Sequence, residues 1–140
     1  MEERKKPSLD SWLDEAKAHE NAGKVGMYLM HNGVVRETAR AQVREGAGDT
    51  LPVTAMDFSY DRKKLDAAVA DTYKLPGIYY IRTWMAEGRL QAGDDIMYVL
   101  IGGDIRPHVM DALDYLVGRI KDECVSEKEI FHGKMTETVI

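Results

Sequence analysis

The sequence predicts an α+β fold in which helices flank a mixed or antiparallel sheet. Three observations lead there. The 140 residues suit a single domain over 1–140, long enough to bury a core. Strand-like and helix-like apolar patterns follow one another as α-β-β-α-β-β-α-β, with no internal repeat. That order lacks the regular βαβ alternation of a doubly wound parallel sheet.

Ser8 and Asp10 offer N-cap oxygens before Trp12, Leu13 and Ala16, which share one helical face, so a short helix is expected near Asp10 to Ala18. Asn21-Ala22-Gly23 ends it. Val25, Met27, Tyr28, Leu29, Met30, Val34 and Val35 predict a buried strand within residues 24 to 36, and Gly33 suggests a bulge or a close backbone approach. Residues 37–50 are polar, with Gly46, Gly48 and several arginines, and are expected to form a mobile loop. Residues 51 to 60 alternate as a strand does. Asp61 then caps a helix running to Leu75, with Leu65, Ala68, Val69 and Thr72 on one face. Pro76-Gly77 breaks it, and two strands follow, residues 78 to 87 and 95 to 101, separated by Gly88 and Gly93. Gly102-Gly103-Asp104 turns into the longest helix. Its apolar face is Val109, Leu113, Leu116 and Ile120, and Pro107 suits its first turn. Residues 125 to 131 predict a last strand, and the tail over 132–140 is expected to fray.

Composition excludes some functions. Lys and Arg number 19 against 24 Asp and Glu, a formal charge of −5, which disfavours nucleic acid as a partner. The start, Met1-Glu2-Glu3-Arg4-Lys5-Lys6, leads into Pro7 and Ser8 without an apolar stretch, so no secretory signal is expected. The longest apolar run, Ile96 to Ile101, is too short to span a bilayer, so no membrane association is expected. Cys124 is the only cysteine; no intramolecular disulfide is possible, and a reducing, cytoplasmic setting fits, with Cys124 read first as a small buried hydrophobe and second as a reactive thiol. His19, His31, His108 and His132 show no metal-ligand spacing, and no metal site is expected.

Chemistry is suggested most by Gly102-Gly103-Asp104-Ile105-Arg106-Pro107-His108. A strand ends there, glycines expose backbone, and a helix starts beside an arginine, which together can make an anion site. The plainer alternative is a turn with Asp104 as its cap. Arg36, at the exit of the first long strand, can reach a phosphate or simply be solvated, as can Arg40 and Arg44. Lys121, near the end of the last helix, complements a helix dipole, and Lys128, among Glu127, Glu129 and Ile130, reads as an exposed edge charge. Asp94 and Asp95 are adjacent and would point to opposite faces of a strand, which argues against an acid–base pair. No nucleophile elbow, phosphate-binding loop or dinucleotide fingerprint occurs.

Taken together, several stretches resemble the molybdopterin synthase large-subunit (MoaE-like) family. Gly26, Gly33, Val35 and Arg36 match the pattern of its opening strand, with His31 in the place of an aromatic residue. Gly88-Arg89-Leu90-Gln91-Ala92-Gly93-Asp94-Asp95 is similar to its Gly-x-Leu-x-x-Gly-(Asp/Glu)-Glu turn. Continuing without a gap, Arg106 falls on the arginine of its His-Arg pair, Lys121 on the lysine of its last helix and Lys128 on the lysine of its Phe-Trp-Lys segment. The resemblance spans about residues 22 to 131. Ile105 departs from the histidine of the pair, with His108 close by in the same turn, and Ser126-Glu127 depart from Phe-Trp.

The resemblance implies an α/β-hammerhead type of fold and a sulfur-transferring enzyme of molybdenum cofactor biosynthesis. Its substrate would be a cyclic pyranopterin phosphate, with no tightly bound cofactor. Its partner would be a small ubiquitin-like sulfur carrier ending in a Gly-Gly thiocarboxylate, and its assembly a homodimer core within a heterotetramer. It further implies Lys121 and Lys128 as catalytic lysines and Arg36, Arg106 and His108 as substrate-binding residues. The alternative is a non-catalytic paralogue that binds a pterin or a ubiquitin-like partner. Arg106 and Lys121 are fifteen residues apart, about 22 Å along a straight helix, so one small ligand touches both only if Arg106 comes from a second subunit.

Overall fold

The computed structural model describes residues 6–37, 53–131 and 134–138, with 53, 54, 131 and 134–138 as backbone. Of the predicted loop, residues 38–50 lie outside the described residues, as do 132, 133, 139 and 140 of the tail.

Helix α1, Leu9–Lys17, starts where the sequence indicates, with the Ser8 hydroxyl accepting from the Ser11 N–H at 3.2 Å. It buries Trp12 and Ala16. Strand β1, Met27–Val34, β3, Ile78–Met85, and β5, Asp95–Gly103, form an antiparallel sheet in the order β1-β5-β3. The central strand β5 is buried along almost its whole length because both faces of the sheet are covered. Tyr98 and Leu100 pack with Trp12 and Ala16 of α1, whereas Met97, Val99 and Ile101 join the main core with Val109, Ala112 and Leu116 of helix α3, Arg106–Arg119. Removing a side chain such as Ile101 from water contributes about 1.5–3 kcal/mol.

The second sheet is also antiparallel, in the order β4-β2-β6-β7, with β2 at Val53–Tyr60, β4 at Gly88–Gln91, β6 at Val125–Phe131 and β7 at Lys134–Thr138. Two of these strands differ from expectation. Gly88–Gln91 pairs with β2 rather than only separating two strands, and Lys134–Thr138 pairs with β6 where fraying was expected. In β4 only Leu90 of the four residues is even half-buried, so apolar alternation does not reveal it. The pairing with β7 gives the outer backbone groups of β6 partners that an edge would lack. Strand β6 is therefore interior, between β2 and β7, and not the edge that the charges around Lys128 suggested.

Asp61 caps α2, Arg62–Tyr73, as predicted, accepting from the Lys64 N–H at 3.1 Å, and α2 buries Leu65, Ala68 and Thr72. The enclosed Thr72 hydroxyl donates to the Ala68 carbonyl at 2.7 Å, so its burial leaves no polar group unmet. Helix α3 ends in a π-helical turn, Ile120–Cys124, that hands the chain to β6. Cys124 is buried there, and burial pushes its thiol pKa up, in keeping with a small hydrophobe. Among the described residues no helix is long and apolar enough to cross a membrane.

Candidate functional site

Successive residues of a strand point to opposite faces, and in β1 this directs Met27 and Leu29 to the main core and Tyr28 and Met30 to α1. His31 therefore faces inward, opposite Val99 of β5. The register shifts after Gly33, the irregularity that a glycine at this place suggested, and the chain leaves the sheet through buried Val35 and exposed Arg36.

A cavity of about 130 Å³ opens beside this exit. His31, Gly33 and Arg36 form one wall, Met97 of β5 and Met56 of β2 its floor. Lys121 enters from the π turn, and Glu127 and Glu129 from β6. π-helical turns recur at functional sites. Here the turn carries Lys121 toward β1.

The wall holds two cations, Arg36 and Lys121, and two carboxylates, Glu127 and Glu129, the latter pair only 7% and 6% exposed. All four are engaged in contacts within the structure, and the two buried carboxylates in particular require them. The His31 Nε2 is buried without a hydrogen-bond partner. Burial, and secondarily the charge of Lys121, lower the His31 pKa below its ordinary value, so the imidazole is neutral at pH 7. The arrangement sets two cations, two carboxylates and a neutral ring nitrogen around a partly desolvated space.

The residues singled out in sequence are thus divided by the fold. Arg36 and Lys121 meet at the cavity. Lys128 does not join them within one chain. It alternates with Glu127 and Glu129 along β6 and lies opposite Asp57, whose carboxyl is held below the ordinary range first by Arg89 and then by Lys128. Arg106 and His108 sit at the start of α3, the far end from Lys121, about 21 Å along its 14 residues. Arg106 is exposed.

At that helix start the anion is already supplied by the chain. The Asp104 carboxylate accepts from the Ile105 N–H at 2.6 Å and lies 2.7 Å from His108 Nδ1, and the contact with His108 lowers the Asp104 pKa. The glycines before it serve close packing. A Cβ on Gly102 would lie 2.7 Å from the Tyr28 ring, and one on Gly103 2.7 Å from the Gly77 carbonyl oxygen. The adjacent acids Asp94 and Asp95 also part company. Asp94 accepts from the Gln91 N–H at 2.9 Å, while Asp95 accepts from Lys6 at 2.9 Å, Tyr98 at 2.9 Å and Asn32 at 3.1 Å.

Sequence reasoning did not assign His31, Glu127 or Glu129 to the site. The two glutamates, at i and i+2 of a strand, carry the signal of a shared face; that this face is buried depends on packing between the two sheets.

Comparison with known proteins bears on this geometry. The model of the family described as MoaE protein matches residues 4–123, which includes Arg36, Arg106, His108 and Lys121 and ends before β6 and Lys128. The comparison with curated proteins finds no match. Among solved structures, molybdopterin synthase from Staphylococcus aureus superposes with a TM-score of 0.72 at 19% identity, over 95% of this chain and 92% of that one. A molybdopterin biosynthesis MoaE protein from Burkholderia ambifaria gives 0.71 at 19% identity, over 97% and 86%. A complex of subunits 1 and 2 of molybdopterin-converting factor from Helicobacter pylori gives 0.66 at 14%, over 93% and 80%. At these identities the superpositions establish the shared α+β fold.

Proposed function

Because this chain belongs to the MoaE protein family, we propose that it works in molybdenum cofactor biosynthesis as the large subunit of a molybdopterin synthase. In this reading it is a cytoplasmic enzyme that moves sulfur from a thiocarboxylated small subunit onto a cyclic pyranopterin phosphate, its substrate. The partner is a ubiquitin-like carrier with a C-terminal Gly-Gly, and two copies of this chain form the core of a heterotetramer. The observation that carries the reading is the meeting of Arg36 and Lys121 on one cavity.

The chemistry needs such a place. A thiocarboxylate and a phosphate are both anionic, and cations in a desolvated cavity attract them far more than cations in water do. The thiocarboxylate sulfur forms a bond to a side-chain carbon of the pterin in place of a C–O bond, whose oxygen leaves with the bonding electrons and takes up a proton. Water then cleaves the acyl–sulfur bond, leaving sulfur on the pterin and a carboxylate on the carrier. Repetition with a second carrier gives the dithiolene. Lys121 neutralises charge as the acyl–sulfur bond breaks, and Arg36 holds an anionic group of the substrate. Arg106 and His108 contribute from the second copy, since α3 separates them from Lys121 in their own chain. Lys128 serves as the second lysine if the carrier tail passes the other face of β6.

One observation favours a second reading. Glu127 and Glu129 bring negative charge into the wall that anions would approach, which suits a paralogue that binds a pterin or a ubiquitin-like partner without turnover. Reconstitution with the pyranopterin precursor and a thiocarboxylated carrier decides between them. Dithiolene product that vanishes in Lys121→Ala supports the enzyme, and product that also vanishes in Lys128→Ala gives that residue its role. Tight carrier binding with no product in the unmodified chain supports the binding paralogue.

A further inference from the structure

Among the described residues that line the cavity, His31 is the one whose polar atom is both buried and without a partner. An enclosed, unmet nitrogen is costly, and folds rarely keep one without a compensating use. Its surroundings show what would satisfy it. A Cβ on Gly33 would stand 3.8 Å from Nε2 and 3.3 Å from the Met97 side chain, so the nitrogen lies against a position that has no side chain, beside the cavity that His31 and Gly33 both line. Whatever enters that space meets Lys121 from the π turn, Arg36 beyond the end of β1, and Glu127 and Glu129 from β6.

We propose that His31 is a specificity-determining residue of this cavity, donating from Nε2–H to a small oxyanion end group that Arg36 and Lys121 attract. A neutral imidazole with its proton on Nε2 is a donor that adds no charge, and it discriminates by geometry rather than by attraction. The cations alone would take any anion that reaches them. A donor fixed in β1 rewards one whose oxygen reaches the edge of the His31 ring. The carboxylates of Glu127 and Glu129 raise the cost of an anion that lies elsewhere in the cavity. The shared ligand chemistry is a terminal oxyanion, either the phosphate of a small molecule or the C-terminal carboxylate of an extended peptide. This inference rests on the proposed function only for which of these is the physiological ligand.

The test uses the whole chain and two probes, inorganic phosphate and the dipeptide Gly-Gly. His31 imidazole nitrogen resonances are assigned by their loss in His31→Gln and followed through each titration, and affinities are compared in His31→Phe and His31→Gln. Phenylalanine fills the space without a donor, whereas glutamine restores an N–H at similar reach. The expected result is a saturable shift of the Nε2 resonance with at least one probe, about tenfold weaker binding in His31→Phe, and recovery in His31→Gln. A response to phosphate alone assigns the small-molecule source, and a response to Gly-Gly alone assigns the peptide tail; both support the inference. Unchanged affinity in His31→Phe, or an Nε2 resonance indifferent to both probes, overturns it. An indifferent Nε2 in a chain that still makes dithiolene removes this inference and leaves the enzyme standing. A responsive Nε2 in a chain that makes none does the reverse.

Discussion

Substitution at Gly33 separates the integrity of the fold from access to the cavity. The backbone at Gly33 lies outside the left-handed region, so a side chain brings no conformational strain there. An alanine methyl would meet Met97 Cγ at 3.3 Å, His31 Nε2 at 3.8 Å and Ile96 Cβ at 3.9 Å. Only the first contact is tight, and it falls on a flexible side chain that yields by a few tenths of an ångström. Adjusting that rotamer costs about 0.5–1.5 kcal/mol. Against it stand about 0.4–1 kcal/mol from the less flexible unfolded chain and about 0.8 kcal/mol from burying one methyl group. Gly33→Ala is therefore expected to unfold in urea within about 1 kcal/mol of the parent. Gly33→Val adds two more methyl-sized groups to a cavity of about 130 Å³ while keeping a residue type that suits a strand. Under the proposed sulfur-transfer function, dithiolene formation is expected to fall on the order of a hundredfold in this variant, the effect of displacing a reacting group by about an ångström. A folded Gly33→Val variant with parental turnover, or a Gly33→Ala variant destabilised by more than about 2 kcal/mol, would refute the placement of Gly33 on the cavity wall.

The lowered His31 pKa means that the unfolded chain binds a proton there more readily than the folded one, so the stability this group carries above about pH 6.5 is lost as pH falls toward its folded pKa. Urea midpoints measured from pH 8 to 5 should decline more steeply in the parent than in His31→Gln, and equal declines would contradict the burial. Gly77→Ala should lose at least the ~1–2 kcal/mol of a left-handed non-glycine residue, because φ is +75° and the new Cβ would stand 2.2 Å from Asp104 Oδ1; a variant as stable as the parent in urea counts against this turn.

Much of the fold is legible in the sequence where a signal is local. Ser8 and Asp61 cap the helices they precede, the apolar run from Ile96 to Ile101 is the strand covered on both faces, and Gly33 marks the shift in register. What escapes is set by distant partners. Gly88–Gln91 is a strand because β2 lies beside it, and the glutamates of β6 are buried because another sheet packs on their face. The candidate site divides in the same way. Arg36 and Lys121 arrive at one cavity from positions that only the fold connects, while Lys128 is turned away by the period of two in the strand that bears it. His31 is a strand residue among apolar neighbours and has no local pattern to mark it.

The cavity has walls that belong to two separate ladders, β1 and β5 in one sheet, β2 and β6 in the other. Among the described residues no strand pairing runs across it. Widening it to admit a bulkier ligand thus slides side chains such as Met56 and Met97 past each other and leaves every rung of both sheets intact. Methionine, unbranched and readily repacked, is well suited to such a joint. Resistance to entry is therefore set by side-chain packing and by the charged groups of the wall, and not by the backbone ladders, so each sheet keeps its own geometry while the gap between them adapts.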